Sequence, residues 1–127
     1  MKYNIFSVLF CLLFSATSFA QSANVNTAST SYNTYVSIEK VIGKTESLEK
    51  AKQNIDDAVA TIKERQAADD PKLKAKLVAK ALHYNGAIYA EIAGIENHAA
   101  NEGALDIVLA SIKESMEADA KGTYKDQ

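Results

Sequence analysis

The sequence predicts an all-α protein built from antiparallel helical hairpins, and three of its features lead there. Apolar residues recur at three- and four-residue steps through three long segments, the spacing that lines one face of a helix. Alanine is abundant; it is the best helix former because it loses no side-chain entropy. The single proline falls at Asp69-Asp70-Pro71, where it separates two periodic segments and interrupts neither.

The N-terminus reads differently. Lys2 supplies a positive charge, Ile5 to Phe14 is apolar apart from Ser7, and Ser18-Phe19-Ala20 places small residues three and one positions before Gln21. A basic start, a short apolar run and a small-residue site form a signal peptide, expected to be cleaved after Ala20. The run is too short for a membrane span, which takes about 20 predominantly apolar residues. Cys11 lies inside that run behind bulky Phe10, unlike a lipid attachment site, so no lipid is expected there. Loss of residues 1–20 removes the only cysteine and lowers the basic count from 14 to 13 against 16 acidic residues, a net charge of about −3. The two signs are interspersed, which leaves no footprint for nucleic acid or for an anionic membrane. The expected location is the periplasm, or else the cell surface or exterior.

Four regions follow: the signal peptide 1–20, a flexible leader 21–31, a helical domain 32–122 and a polar tail 123–127. The leader is rich in Ser, Thr, Asn and Ala with one isolated valine, too little apolar surface to offset the entropy of ordering. Tyr32, Tyr35, Val36, Ile38 and Ile42 suggest a short helix or mixed segment closed by Gly43. The next helix starts at Thr45 or Ser47 as cap, buries Leu48, Ala51, Ile55, Ala58, Val59 and Ile62, and ends near Ala67. A third runs from Pro71, capped by Asp70, to about Gly94, with Leu73, Leu77, Ala81, Leu82, Ala87, Ile88 and Ile92 as its apolar set. Lys72, Lys74, Lys76 and Lys80 crowd its first half, where lysine opposes the helix dipole; a solvated face accounts for them. Glu96 to Gly103 forms a loop, and a last helix uses Ala104, Leu105, Val108, Leu109, Ile112, Ser115 and Met116 before closing at Lys121-Gly122.

Two of these helices share a register. Leu48, Ala51, Ile55, Ala58 and Val59 align without gaps to Leu105, Val108, Ile112, Ser115 and Met116 at an offset of 57 residues. Ahead of the second set, one helix carries Leu82, Gly86 and Tyr89. An interior glycine costs a helix about 1 kcal/mol against alanine, so Gly86 needs a reason, and a close crossing with Val108 or Ser115 supplies one.

The pattern Leu82, Gly86, Tyr89 followed by Val108, Ile112, Ser115 resembles the tetratricopeptide repeat. There, a helix with a large, a small and an aromatic residue pairs with one carrying a small, a large and a small residue. The resemblance covers roughly residues 48–122 and implies a TPR-like stack of about one and a half to two repeats. It departs from the family in its spacing, since the usual period is about 34 residues. Val108 is also larger than the usual alanine, and Ala120 stands where proline is common. Three or more repeats normally bury a continuous core, so the helices either form a compact bundle or leave a face for another chain or further sequence.

No reactive constellation accompanies the fold. His83 and His98 have no ligand at metal-binding spacing, Asp56 and Asp57 point in different directions on a helix, and no nucleotide or nucleophile motif occurs. No catalytic residue, cofactor or metal is expected, and the chain is not expected to be an enzyme. The resemblance implies instead a protein–protein interaction or scaffold module for a protein or peptide partner, with His83, Asn85 and Glu91 as contacts inside a groove. The alternative is a small helical bundle that associates with itself and has no ligand of its own.

Overall fold

The structure, a computed structural model, describes the backbone of residues 5–37 and 41–119 and the side chains of residues 21–37 and 44–119. The tail 123–127, the expected closure at Lys121-Gly122 and the side chains of Ile38 and Ile42 lie outside the described residues. Within them the chain is all-α: α1 (Ile5–Ser37), α2 (Val41–Ala67), α3 (Ala75–Ala93) and α4 (Ala104–Ala118), with no strand. The helices make two hairpins, α1 with α2 and α3 with α4. Helix α3 packs on both helices of the first hairpin, while α4 runs along α3 alone.

Helix α1 corrects the reading of residues 21–31 as a flexible leader. The helix passes through them without a break, and Gln21, Val25, Ala28, Ser29 and Ser31 are buried. Burial at 21, 25, 28, 31 and 35 follows helical spacing, but within 21–31 its members other than Val25 are small or polar, so the segment lacks an apolar signature. Small side chains serve a close helix contact, and tertiary packing supplies the stability that propensity does not. Tyr32 and Tyr35 end the same helix rather than forming one of their own. Tyr32 stacks on Tyr35 at 6.2 Å between ring centres and meets the edge of Tyr84 on α3 at 6.1 Å. Gly43 closes nothing, because it lies inside α2.

Helix α2 has the expected buried face: Leu48, Ala51, Ile55, Ala58 and Ile62 are sealed in a core shared with Val25 and Ala28 of α1 and Val78, Leu82, Ile88 and Ile92 of α3. It ends at Ala67, as its sequence predicts. Asp69 then takes a left-handed conformation (φ 48°), which a short polar side chain tolerates. Asp70 does not cap α3. Its Oδ1 accepts the Lys72 backbone N–H at 2.9 Å and its Oδ2 accepts Arg65 Nε at 2.7 Å. The carboxylate is thereby committed to a tight turn, Pro71 belongs to that turn, and the chain is extended at Lys74 before α3 begins at Ala75. Lys72 thus lies outside α3, whereas Lys74 stands at its N-cap and Lys76 in its first turn, where the conflict with the dipole remains.

Helix α3 is buried along Val78, Ala79, Ala81, Leu82, Asn85, Gly86, Ile88, Tyr89 and Ile92, a width that matches its contact with every other helix. Gly86 sits where α3 meets α4. A Cβ placed on it would lie 3.5 Å from Ser111 Cβ and 3.9 Å from Ile112 Cγ1 and from the Val108 carbonyl oxygen. The close crossing is therefore present, with Ser111 rather than Ser115 opposite the glycine. Ser115 lies further along, where its Oγ donates to the Ala79 carbonyl at 3.0 Å.

Helix α4 corrects the last expected apolar set. Its buried residues are Ala104, Ser111 and Ser115, with Val108 half-buried. Leu105, Leu109, Ile112 and Met116 are 66, 67, 51 and 54 % exposed. Successive helical positions turn by about 100°, so these two rows are neighbouring faces of one helix. The small face packs on α3; of the large one, Ile112 touches the crossing at Gly86, and no described element covers the rest.

Candidate interaction surfaces

Two surfaces have the shape or chemistry to meet a partner. The first is an open groove of about 290 Å³ between α2 and the second hairpin, lined by Asp56, Val59, Ala60, Lys63, Asn85, Tyr89 and Ile107. At its wall, Asp56 Oδ1 accepts the Tyr89 hydroxyl at 2.9 Å and Oδ2 accepts Lys52 Nζ at 2.7 Å. Burial first, and the Asp56 carboxylate second, push the Tyr89 phenol above its ordinary pKa. The hydrogen bond to Asp56 raises Lys52 as well. Tyr89 is thus held neutral and Lys52 charged, the static states that tie α2 to α3.

The three groove contacts expected from the sequence are engaged within the protein. Asn85 Nδ2 donates to Ser111 Oγ at 2.7 Å in the buried seam between α3 and α4. Glu91 accepts the Tyr35 hydroxyl at 2.8 Å, joining α3 to α1. His83 packs edge-on against Tyr84 at 5.1 Å, and its burial lowers its pKa. Of the three, Asn85 alone lines the groove.

His98 is placed in the α3–α4 connection, where it fastens the loop to α2. Its Nδ1 accepts the Ala100 backbone N–H at 3.0 Å, which leaves Nε2 as the donor to Glu49 Oε1 at 2.6 Å. Asn101 completes the loop by donating from Nδ2 to the Ile92 and Ala93 carbonyls, at 3.2 and 2.9 Å, at the open end of α3. The Asp57 carbonyl accepts the Thr61 hydroxyl at 2.9 Å. Among the described residues no group of three or more His, Cys, Asp or Glu is arranged to hold a metal ion, and no helix is long and apolar enough to cross a membrane.

The second surface is the large-residue face of α4, which the sequence reading missed because it merged two rows into one. A helix with seven candidate core positions over 13 residues has more apolar width than one neighbour can cover. That excess is the signal that separates the rows. Leu105, Leu109, Ile112 and Met116 form the exposed row, spaced four, three and four residues apart. The comparisons add no relative: no family model, curated protein or solved structure matches the chain.

Proposed function

We propose that this chain is a non-enzymatic, exported interaction or scaffold module of the tetratricopeptide-like class, whose docking surface is the exposed face of α4. The carrying observation is that face itself. In a stack of helical hairpins each unit contacts only its neighbours, and a unit that ends the stack needs a polar outer side to stay soluble. The outer side of α4 presents four large apolar residues instead. The aligned positions support this reading: Leu48 and Ile55 of α2, which align with Leu105 and Ile112, are sealed in the core that α3 helps to form. An amphipathic helix from a protein or peptide partner fits the α4 face on those terms. The first helix of the second hairpin also packs on both helices of the first, which supports the repeat-like stacking. Export rests on the Lys2, Ile5–Phe14 and Ala20 pattern, with the periplasm as first location and the cell surface or exterior as second. The second reading, a small bundle that associates with itself, uses the same surface, and the partner helix is then α4 of a second copy.

A photo-crosslinking side chain at Leu109 tests the surface in living cells, with one at exposed Lys50 as control. Covalent adducts from position 109 and none from position 50 are expected; absence of adducts from 109 overturns the reading. Intact mass of the exported protein tests the address. A mature chain beginning at Gln21 is expected, and one that keeps residues 1–20 refutes signal cleavage.

A further inference from the structure

We propose that the occupant of the α4 face is the same face of a second copy of this chain, with the two α4 helices antiparallel about a two-fold axis midway between Leu109 and Ile112. The inference rests on the reading of that face as a docking surface and adds the identity and geometry of what covers it. The 4-3-4 spacing of Leu105, Leu109, Ile112 and Met116 is that of the seam between two helices packed knobs into holes. In the antiparallel arrangement Leu105 meets Met116 of the second copy and Leu109 meets its Ile112. Each layer then occurs twice, as an isologous interface requires.

The charges beside the seam select this arrangement. Asp106 and Lys113 are exposed, seven residues apart and on one edge of the row, the edge turned away from α3. Antiparallel helices bring like edges together. Asp106 of each copy therefore faces Lys113 of the other, and the face is complementary to itself in charge as well as in shape. Parallel helices would set Asp106 and Lys113 against the opposite edge, where Val108 and Ser115 stand and offer no charge. The small face of α4 stays on α3 throughout, so pairing asks for no rearrangement of the fold.

Sedimentation equilibrium of the protein recovered after export reads the association directly. A two-chain mass is expected, replaced by a one-chain mass in Leu109→Lys; the substituted residue is exposed, so the melting behaviour of the single chain serves as a folding control. Asp106→Lys and Lys113→Asp are each expected to weaken the pair by roughly tenfold or more, because each sets two like charges across the seam. An equimolar mixture of those two variants is expected to regain the two-chain species, since every cross-seam pair is then opposite in sign. A dimer that ignores all three substitutions, or a mixture that stays monomeric, overturns the proposal. A monomer whose crosslinker at position 109 captures a protein of different mass overturns self-pairing and leaves the interaction reading intact. A monomer with no adduct overturns both.

Discussion

Gly86 permits a quantitative test of how α3 and α4 meet. A methyl group added there lies 3.5 Å from Ser111 Cβ and 3.9 Å from its next neighbours, ordinary van der Waals contact. Gly86→Ala therefore gains the helix-propensity difference of about 1 kcal/mol without a collision. For a domain of this size, that corresponds to a rise in melting temperature of about 4–8 °C. Gly86→Leu carries three further carbons into a space where Ser111 already stands at contact distance. Overpacking of that kind costs about 1–3 kcal/mol and outweighs the same propensity gain, for a net loss of up to about 2 kcal/mol. Thermal melts followed by far-ultraviolet circular dichroism should move in opposite directions for the two variants. A stabilised Gly86→Leu would mean that position 86 faces open space. A destabilised Gly86→Ala would mean that the helix backbones approach more closely than this packing allows.

Four more outcomes follow from the polar contacts. Asn85→Ala and Ser111→Ala should each cost about 1–3 kcal/mol by stranding the other's polar group, and the double variant should cost less than their sum; additive denaturation free energies would refute the bond. The Tyr35 phenol is pushed up to about 12, first by burial and then by its hydrogen bond to Glu91. Because its folded value exceeds the unfolded value of 10.0, its contribution is complete below pH 10 and drains away as pH rises toward 12. Urea midpoints should fall across that window, and less steeply in Tyr35→Phe. At the acid end, the Lys72 backbone N–H, with Arg65 beside it, holds Asp70 below its ordinary value of 3.8, so its contribution is present above that pH and lost as pH falls below it. Asp70→Asn should flatten that part of the stability profile. Arg65→Met should lower the melting temperature by several degrees more than Lys63→Met, because Arg65 is buried and Lys63 exposed.

The parts of the fold legible in the sequence are those where one face of a helix carries large apolar residues and the others carry charge. Helix α2 meets that condition through Leu48, Ile55 and Ile62, and most of α3 does through Leu82, Ile88 and Ile92. Residues 21–31 do not, because Gln21, Ala28, Ser29 and Ser31 are buried by virtue of being small or internally bonded, and hydropathy carries no trace of that. The Arg65 guanidinium reaches both Gln21 Oε1 and Asp70, a link between distant segments that no local pattern announces. Asp70-Pro71 is visible as a boundary, yet which helix it serves depends on Arg65 lying beside it. In α4 the pattern is misleading for the opposite reason: it contains two apolar rows, and spacing alone does not say which one the protein keeps for itself. The internal bonds of the candidate groove contacts are hidden on similar grounds, since Asn85 and Glu91 look unengaged until Ser111 and Tyr35 are seen beside them.

Helix α3 is the one element that every other helix touches, whereas α4 leans on α3 alone. Resistance to opening is therefore graded along the chain. Detaching α4 leaves the α1–α3 core assembled, while detaching α3 uncovers the first hairpin and frees α4 as well, so α4 is the helix whose release disturbs least of the fold. Any occupant of that surface gives α4 a second hold beside α3 and opposes its release. An unaccompanied chain would then be cut by proteases within or beside α4 first, and association would be read by the cell as longevity.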